Sequence, residues 1–198
     1  MKIIKTEILI KKGAFSSSKE FKSILSEIYD AIQSITWPEG SNKFTLFPKK
    51  KANGVVPIKK NFVEFLENNG WESEYRMKIA SRLRPGPVDA VKFLSENRCF
   101  AVEWETGNIS SSHRALNKMA IGLLDGVIEG GILILPSRDM YQYLTDRVGN
   151  FAEIEPYFNV WKNLQISNGL LAVIEVEHDE LSEDVPPIRK GTDGRALV

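Results

Sequence analysis

The feature that most constrains the fold is a strand–helix–strand pattern between residues 99 and 135. Segment 99–105 reads as a β-strand whose alternate residues form two different faces, with Phe100, Val102 and Trp104 on one side and Ala101, Glu103 and Glu105 on the other. Gly107-Asn108 ends this strand, and an apolar stripe at helical spacing continues to about residue 124. The apolar run 132–135 predicts a second, buried strand. Such a βαβ unit places its two strands parallel to each other.

The rest of the chain supports an α/β class. Apolar spacing predicts helices over 17–35, 57–68, 138–146 and 151–163, and strands over 43–47, 88–94 and 170–177. The charged segment 71–85 ends as a loop, and the residues from about 178 onward form an irregular tail. We therefore predict one domain over 1–198, with a central mixed β-sheet flanked by helices on both faces.

Composition excludes several classes of protein. The formal net charge is zero, which argues against a non-specific nucleic-acid coat but not against a specific DNA enzyme. No apolar stretch approaches the roughly 18 residues of a membrane span, and the charged N-terminal segment does not resemble a signal peptide. The single cysteine, Cys99, excludes an intramolecular disulfide and predicts a buried thiol. We expect a cytoplasmic protein with no membrane partner.

Three carboxylates carry the predicted chemistry. Glu103 and Glu105 are two residues apart on one strand and share a face, and Asp89 lies on the neighbouring predicted strand. Carboxylates gathered in this way repel one another unless a cation neutralises them, and oxygen ligands favour Mg²⁺, Mn²⁺ or Ca²⁺. Such a site suits phosphodiester hydrolysis. On spacing alone, a Glu-x-Glu strand is more often a solvated sheet face.

Longer motifs around these residues resemble a known family. Gly86-Pro87-Val88-Asp89 stands where a Pro-x-Asp motif is expected, and Glu103-Trp104-Glu105 stands where a (D/E)-x-K motif is expected, with glutamate replacing lysine. The run 105–111 and the islands 53–59, 143–148 and 155–158 continue the match in order. The sequence thus resembles the BamHI restriction endonuclease family, within the PD-(D/E)xK nuclease superfamily.

The resemblance implies a Mg²⁺-dependent type II restriction endonuclease. Asp89 and Glu103 would be metal ligands, and Glu105 would activate or orient the attacking water. Phe100 or its neighbour would supply a backbone carbonyl ligand. A further glutamate precedes the Pro-x-Asp motif in the family; Glu72 or Glu74 matches it, and Glu72 is preferred. Mn²⁺ would substitute for Mg²⁺, whereas Ca²⁺ would bind without supporting cleavage.

The resemblance also implies how DNA is read. Asn108, Ser110 and Arg114 would face the major groove from the start of the 108–124 helix, and Asp146 with Arg147 would form a second reading element. Two further DNA contacts would come from Lys59 and Asp193, although a solvated face explains Lys59 equally well. After Asp193-Gly194 the sequence departs from the family, which continues into a further helical segment.

The implied target is double-stranded DNA with the palindrome GGATCC, cut after the first G to leave a 5′ overhang. A palindrome is read most simply by a two-fold symmetric homodimer, and helices 108–124 and 151–163 are the candidate interface.

Two other functions compete with this interpretation. A DNA-binding protein of the same fold without catalysis would lack an intact set of Asp89, Glu103 and Glu105. An unrelated metal hydrolase acting on a small phosphorylated substrate would not need the spaced base-reading groups.

Overall fold

The structure, a computed structural model, describes residues 1–79, 86–94, 98–145 and 148–190. The strands are β1 (Lys2–Lys12), β2 (Thr45–Leu46), β3 (Glu72–Tyr75), β4 (Val88–Phe93), β5 (Cys99–Trp104), β6 (Gly130–Pro136), β7 (Gly169–Glu177) and β8 (Glu180–Leu181). The helices are α1 (Lys19–Gln33), α2 (Val56–Asn68), α3 (Ile109–Leu124), α4 (Arg138–Tyr141), α5 (Phe151–Ile154) and α6 (Phe158–Lys162).

One mixed sheet organises the described part of the chain. Its six strands lie in the order β1-β7-β6-β5-β4-β3. The β5–β6 and β6–β7 pairs are parallel, and the β1–β7, β4–β5 and β3–β4 pairs are antiparallel. The predicted parallel pairing across the strand–helix–strand unit is therefore confirmed. Strand β6 is buried along its whole length, as expected for a parallel strand covered on both faces.

Helices cover both faces of the sheet, as predicted. Alternate residues of β5 point to opposite sides: Val102 joins the apolar cluster that includes Phe62 of α2, and Ala101 joins the cluster that includes Leu116 of α3. Each face thus has its own core, with the sheet between them. Cys99 is 4% exposed and its thiol donates to the Val127 carbonyl at 3.2 Å, which confirms the predicted buried thiol.

Several predicted boundaries were wrong for identifiable reasons. The helical pattern over 151–163 is divided by a 3-10 turn at Glu155–Tyr157, where Pro156 supplies no backbone N–H to an α-helix. The pattern over 138–146 yields helix only at α4. In the predicted irregular tail, β8 pairs in parallel with β2. None of the helices within the described ranges has the length and apolar character needed to cross a membrane.

A buried asparagine joins three segments that are distant in sequence. Asn53 has no exposed surface; its amide Nδ2 donates to the carbonyls of Phe47 and Tyr143 at 2.9 and 3.0 Å. Its Oδ1 accepts from the Ile188 N–H at 3.2 Å. The next residue must be glycine, since a Cβ at Gly54 would lie 2.2 Å from the Arg189 carbonyl oxygen. This junction therefore fixes the segments that lead toward residues 146–147 and 191–198.

We predict that Asn53→Ala destabilises the fold by about 2–3 kcal/mol, because it leaves buried backbone groups in all three segments without partners. Urea unfolding monitored by tryptophan fluorescence measures this loss. Asn163→Ala is the matched control, since that amide bonds one carbonyl, Asn159, on the surface and its loss should cost less than about 0.5 kcal/mol. Equal losses in the two variants would contradict the assigned role of Asn53.

Candidate active site

The β4–β5 pairing brings two of the three predicted carboxylates together. Ala90 lies opposite Val102 in this antiparallel pair, so Asp89 and Glu103 meet at the same end of the two strands. The Asp89 N–H donates to Glu103 Oε2 at 3.2 Å, and Asp89 Oδ2 accepts from the Trp104 N–H at 2.7 Å. Backbone hydrogen bonds thus hold both carboxylates in place.

Burial and mutual repulsion set the electrostatics of this pair. Asp89 is 7% exposed, and Glu103 is partly buried. Burial, followed by the charge of Asp89, raises the pKa of Glu103 to about 8. Burial also raises the pKa of Asp89, and the Lys59 ammonium and the Trp104 N–H offset that effect only in part. Both carboxyl groups therefore resist carrying full negative charge together.

A lysine from α2 partly neutralises the pair. Lys59 Nζ lies 2.6 Å from Asp89 Oδ1 and 3.4 Å from Glu74 Oε1. Burial lowers the pKa of Lys59, but the charges and hydrogen bonds of Asp89 and Glu74 outweigh burial and raise it above its ordinary value. Lys59 is thus held as a cation between two strands of the site.

Glu105 occupies a different position, at the junction of β5 and α3. Its Oε1 accepts from the Gly107 N–H at 2.6 Å, and a Cβ at Gly107 would lie 2.7 Å from that oxygen. A side chain at position 107 would therefore push the carboxylate away from the turn. Burial raises the pKa of Glu105, and the Gly107 N–H partly opposes this. A carboxylate with a pKa raised in this way is suited to accept a proton from water.

The extra glutamate corrects one prediction. Both glutamates of β3 are exposed, but Glu72 lies opposite Val91, whereas Glu74 falls between the Ser73–Ala90 and Tyr75–Val88 pairs, opposite Asp89. Glu74 has a positive φ of 48° and reaches Lys59, as described above. The geometry favours Glu74 over Glu72, which reverses the preference drawn from sequence.

Phe100 is also not a suitable ligand. It lies opposite Lys92 and Gly130, three residues before Glu103, which along a strand is about 10 Å. Trp104 lies between the two glutamates, and its N–H already contacts Asp89. The backbone carbonyl nearest the carboxylates along the strand is therefore that of Glu103 or Trp104, and either is better placed than the Phe100 carbonyl suggested by the resemblance.

The donor set fits a hard divalent cation. In the ranges that the structure describes, no three His, Cys, Asp or Glu side chains are close enough together to hold a metal ion. Lys59 instead supplies positive charge to Asp89. However, burial raises the pKa of both Asp89 and Glu103, and the charge of Asp89 raises that of Glu103 further, so a nearby cation would stabilise the ionised pair; oxygen donors match Mg²⁺ or Ca²⁺.

The predicted base-reading residues of α3 lie beside this site. Asn108 caps the helix by accepting from the Ser111 N–H at 3.3 Å, and Asn108, Ser110 and Arg114 are all exposed. The Gly149 N–H donates to the Gly107 carbonyl at 2.7 Å, which ties the segment after residue 147 to the start of α3. Asp146, Arg147 and Asp193 lie outside the described residues.

One residue near the carboxylates was given no role by the sequence. Lys118, one turn after Arg114 on α3, donates from Nζ to the carbonyls of Gly86 and Pro87 at 2.7 and 3.2 Å. The contact depends on the packing of α3 against the start of β4, which the sequence does not reveal. The sequence showed only that Lys118 lies on the same face of the helix as Arg114, four residues later.

Comparison of sequences identifies relatives over the whole length. The chain is 53% identical over 197 residues to the type II restriction enzyme OkrAI of Oceanobacter kriegii, covering all of both chains. It is 36% identical over 190 residues to the type II restriction enzyme BamHI of Bacillus amyloliquefaciens, covering 92% of this chain and 87% of that one.

Comparison of structures supports the fold. A crystal structure of the restriction endonuclease BglII complexed with a DNA 16-mer superposes with a TM-score of 0.67 at 11% identity, covering 90% of this chain and 79% of the other. Free BglII superposes with a TM-score of 0.53 at 12% identity, over 90% and 81% of the two chains.

The sequence profile of the family described as restriction endonuclease BamHI matches residues 1–195. The chain therefore belongs to the BamHI restriction endonuclease family.

Proposed function

We propose that this protein is a type II restriction endonuclease that hydrolyses double-stranded DNA at GGATCC in a Mg²⁺-dependent reaction, cutting after the first G to leave a 5′ overhang. The observation that carries the proposal is the buried Asp89–Glu103 pair beside the exposed first turn of α3. A carboxylate pair that is stabilised by a cation suits metal-dependent cleavage of DNA. The hydrogen-bonding side chains at the adjacent helix end suit recognition of specific bases. The type II restriction enzymes among its relatives support this function. Because its proposed substrate is DNA, the proposed location is the cytoplasm.

In the proposed reaction Asp89, Glu103 and a neighbouring backbone carbonyl of β5 hold the divalent ion, with Glu74 close to the site. A bound Mg²⁺ would supply Lewis-acid stabilisation of the charge that develops on the phosphate. Mn²⁺ would replace it, and Ca²⁺ would bind without supporting cleavage. Glu105 keeps one oxygen on the Gly107 N–H, and its other oxygen accepts the proton of the attacking water. The water oxygen bonds to phosphorus as the bond from phosphorus to the leaving ester oxygen breaks, and that oxygen takes a proton from solvent. Lys59 provides positive charge for the scissile phosphate.

Base recognition is proposed to come from two elements. Asn108, Ser110 and Arg114 are exposed on the first turns of α3, where an inserted helix meets base edges. Arg can bond guanine O6 and N7, and Asp can accept from cytosine N4, which suits Arg147 and Asp146 as the second element. Asp193 is proposed as a further contact to DNA.

A homodimer is proposed because a palindrome presents the same half-site twice. His113 and Asn117 lie on one stripe of α3 and contact Tyr157 and Trp161. Leu124 continues this stripe and is 52% exposed, and Val160 on α6 is 60% exposed. Exposed apolar side chains on adjoining helices are typical of a self-association surface.

The proposal predicts that a plasmid with one GGATCC site is linearised with Mg²⁺ and left intact with EDTA, while a plasmid without the site is left intact in both. Agarose electrophoresis of timed digests measures this. Glu103→Ala is the matched variant: it should lose cleavage and keep specific binding to a GGATCC duplex in Ca²⁺, because base reading is assigned to other residues. Tight specific binding by the wild type without any cutting would favour a DNA-binding protein that lacks catalysis.

The dimer predicts that Val160→Glu weakens self-association at least tenfold, since a buried charge without a partner costs more than about 1.4 kcal/mol. Sedimentation velocity over a concentration series measures the dissociation constant. Leu181→Glu, at an apolar side chain 39% exposed on β8, is the control and should leave it unchanged. A wild type that stays monomeric with and without DNA would contradict the assignment.

The raised pKa of Glu103 predicts a pH dependence of stability in metal-free protein. Its ordinary pKa is 4.5 and its folded pKa is about 8, so its contribution is fully present below 4.5 and is lost as the pH rises through 8. Asp89, whose pKa is also raised, acts in the same direction. The melting temperature in EDTA should therefore fall across this window, and Glu103→Gln should flatten the fall.

Added Mg²⁺ should raise the melting temperature most at the high end of that pH range, because the ion binds the ionised carboxylates. Glu64→Gln, at an exposed position on α2, serves as the control and should keep the wild-type pH profile. A wild-type melting temperature that does not respond to divalent ions at any pH would count against a metal site.

A further inference from the structure

Lys118 makes a direct connection between α3 and the turn that leads into Asp89. Its Nζ donates to the carbonyls of Gly86 and Pro87, the two residues that immediately precede β4. The side chain is only partly exposed, although a lysine in the middle of an amphipathic helix is ordinarily solvated. An ammonium that gives two hydrogen bonds to one short turn restrains that turn relative to the helix.

The two residues that Lys118 contacts have little intrinsic restraint of their own. Gly86 has wide backbone freedom, and Pro87 carries no N–H with which to join a strand ladder. Asp89 lies two residues after Pro87 and is itself held by the Trp104 N–H, so Lys118 adds a second restraint on the stretch of chain that leads into that carboxylate. The charge of Lys118 also acts on Glu103, the other carboxylate of the pair.

The same helix carries the proposed base-reading groups. Arg114 lies one turn before Lys118 on α3, and Asn108 and Ser110 precede it. Along the helix, the DNA-facing end and the Lys118 contact therefore belong to one rigid element, and the position of that element on DNA bears on the position of Asp89.

We propose that Lys118 is a positioning residue that couples the seating of α3 on its target sequence to the alignment of Asp89 with Glu103. The proposal rests on the function proposed above and deepens it. When the bases are read correctly, α3 takes up a defined position on the DNA. Lys118 moves with α3 and, through its two hydrogen bonds, fixes the position of Gly86 and Pro87. Asp89 is then aligned with Glu103 for cleavage. A misplacement of about 1 Å in such a site can lower the rate about 100-fold.

A competing role makes the opposite prediction for metal. If Lys118 only offset negative charge, its removal would make the site more negative and lower the Mg²⁺ concentration needed for half-maximal cleavage. If it positions Asp89, its removal loosens the ligand geometry, and the Mg²⁺ requirement rises although a positive charge has been lost. The sign of the change distinguishes the two roles.

The test compares Lys118→Met, Lys118→Arg and the charge-loss control Lys22→Met, at an exposed position on α1. Single-turnover cleavage of a GGATCC duplex is measured over a Mg²⁺ series, together with binding in Ca²⁺ and melting temperature in EDTA. For Lys118→Met we expect binding within about threefold of wild type, cleavage slowed about 10- to 100-fold and a raised Mg²⁺ requirement. Lys118→Arg should recover most of the rate, because arginine can still donate to two carbonyls.

Sequence discrimination provides the second readout. The ratio of cleavage rates at GGATCC and at duplexes with one altered base pair should fall in Lys118→Met and stay unchanged in Lys22→Met. Two results for Lys118→Met would overturn the positioning role. One is a wild-type cleavage rate with a lowered Mg²⁺ requirement, and the other is an equal loss of binding, cleavage and melting temperature. Absence of cleavage by the wild type would instead overturn the proposed function, so the two failures can be told apart.

Discussion

The structure depends on placing two carboxylates, Asp89 and Glu103, side by side at the ends of neighbouring strands and largely out of water. Burial and repulsion both oppose ionisation of this pair. Backbone N–H groups that donate to the two carboxylates, and the ammonium of Lys59 beside Asp89, partly offset this effect. Each compensating group comes from a different element. The strand pair β4–β5 and helix α2 must therefore both be in place before the pair is stabilised.

The mixed sheet explains why the proposed catalytic residues and the proposed DNA-reading residues are adjacent. Strand β5 carries Glu103, runs straight into Glu105 and Gly107, and continues as α3 after a single turn. Chemistry and recognition are thus successive positions on one stretch of chain rather than separate parts joined by a linker. Gly149 adds a backbone hydrogen bond from the other predicted reading segment to the same turn.

Sequence periodicity predicted the parts of this arrangement that local chemistry decides. The alternation in β5 placed Glu103 and Glu105, and the asparagine at the start of α3 is a helix cap as well as a predicted DNA contact. Local chemistry could not choose between Glu72 and Glu74, because simple alternation puts both on one face. The choice depends on the positive φ of Glu74 and on the position of Lys59 in α2.

Register and edges were likewise not predictable. The resemblance suggested Phe100 or its neighbour as the source of a carbonyl ligand, and only the pairing of β4 with β5 shows that Phe100 lies opposite Lys92 while Asp89 bonds Glu103 and Trp104. Strand β1 was missed altogether. It lies at the edge of the sheet, where lysines are common and one side of the strand faces solvent, so its pattern is not that of a buried strand.

The junction at Asn53 links two segments of the chain mechanically. A single amide bonds the backbone carbonyl of Tyr143 and the backbone N–H of Ile188, so a substitution that displaces either backbone also strains the hydrogen bond that holds the other. The energetic effects of such substitutions in the two segments are then not additive. The segment before residue 146 and the segment before residue 191 therefore behave as one mechanical unit.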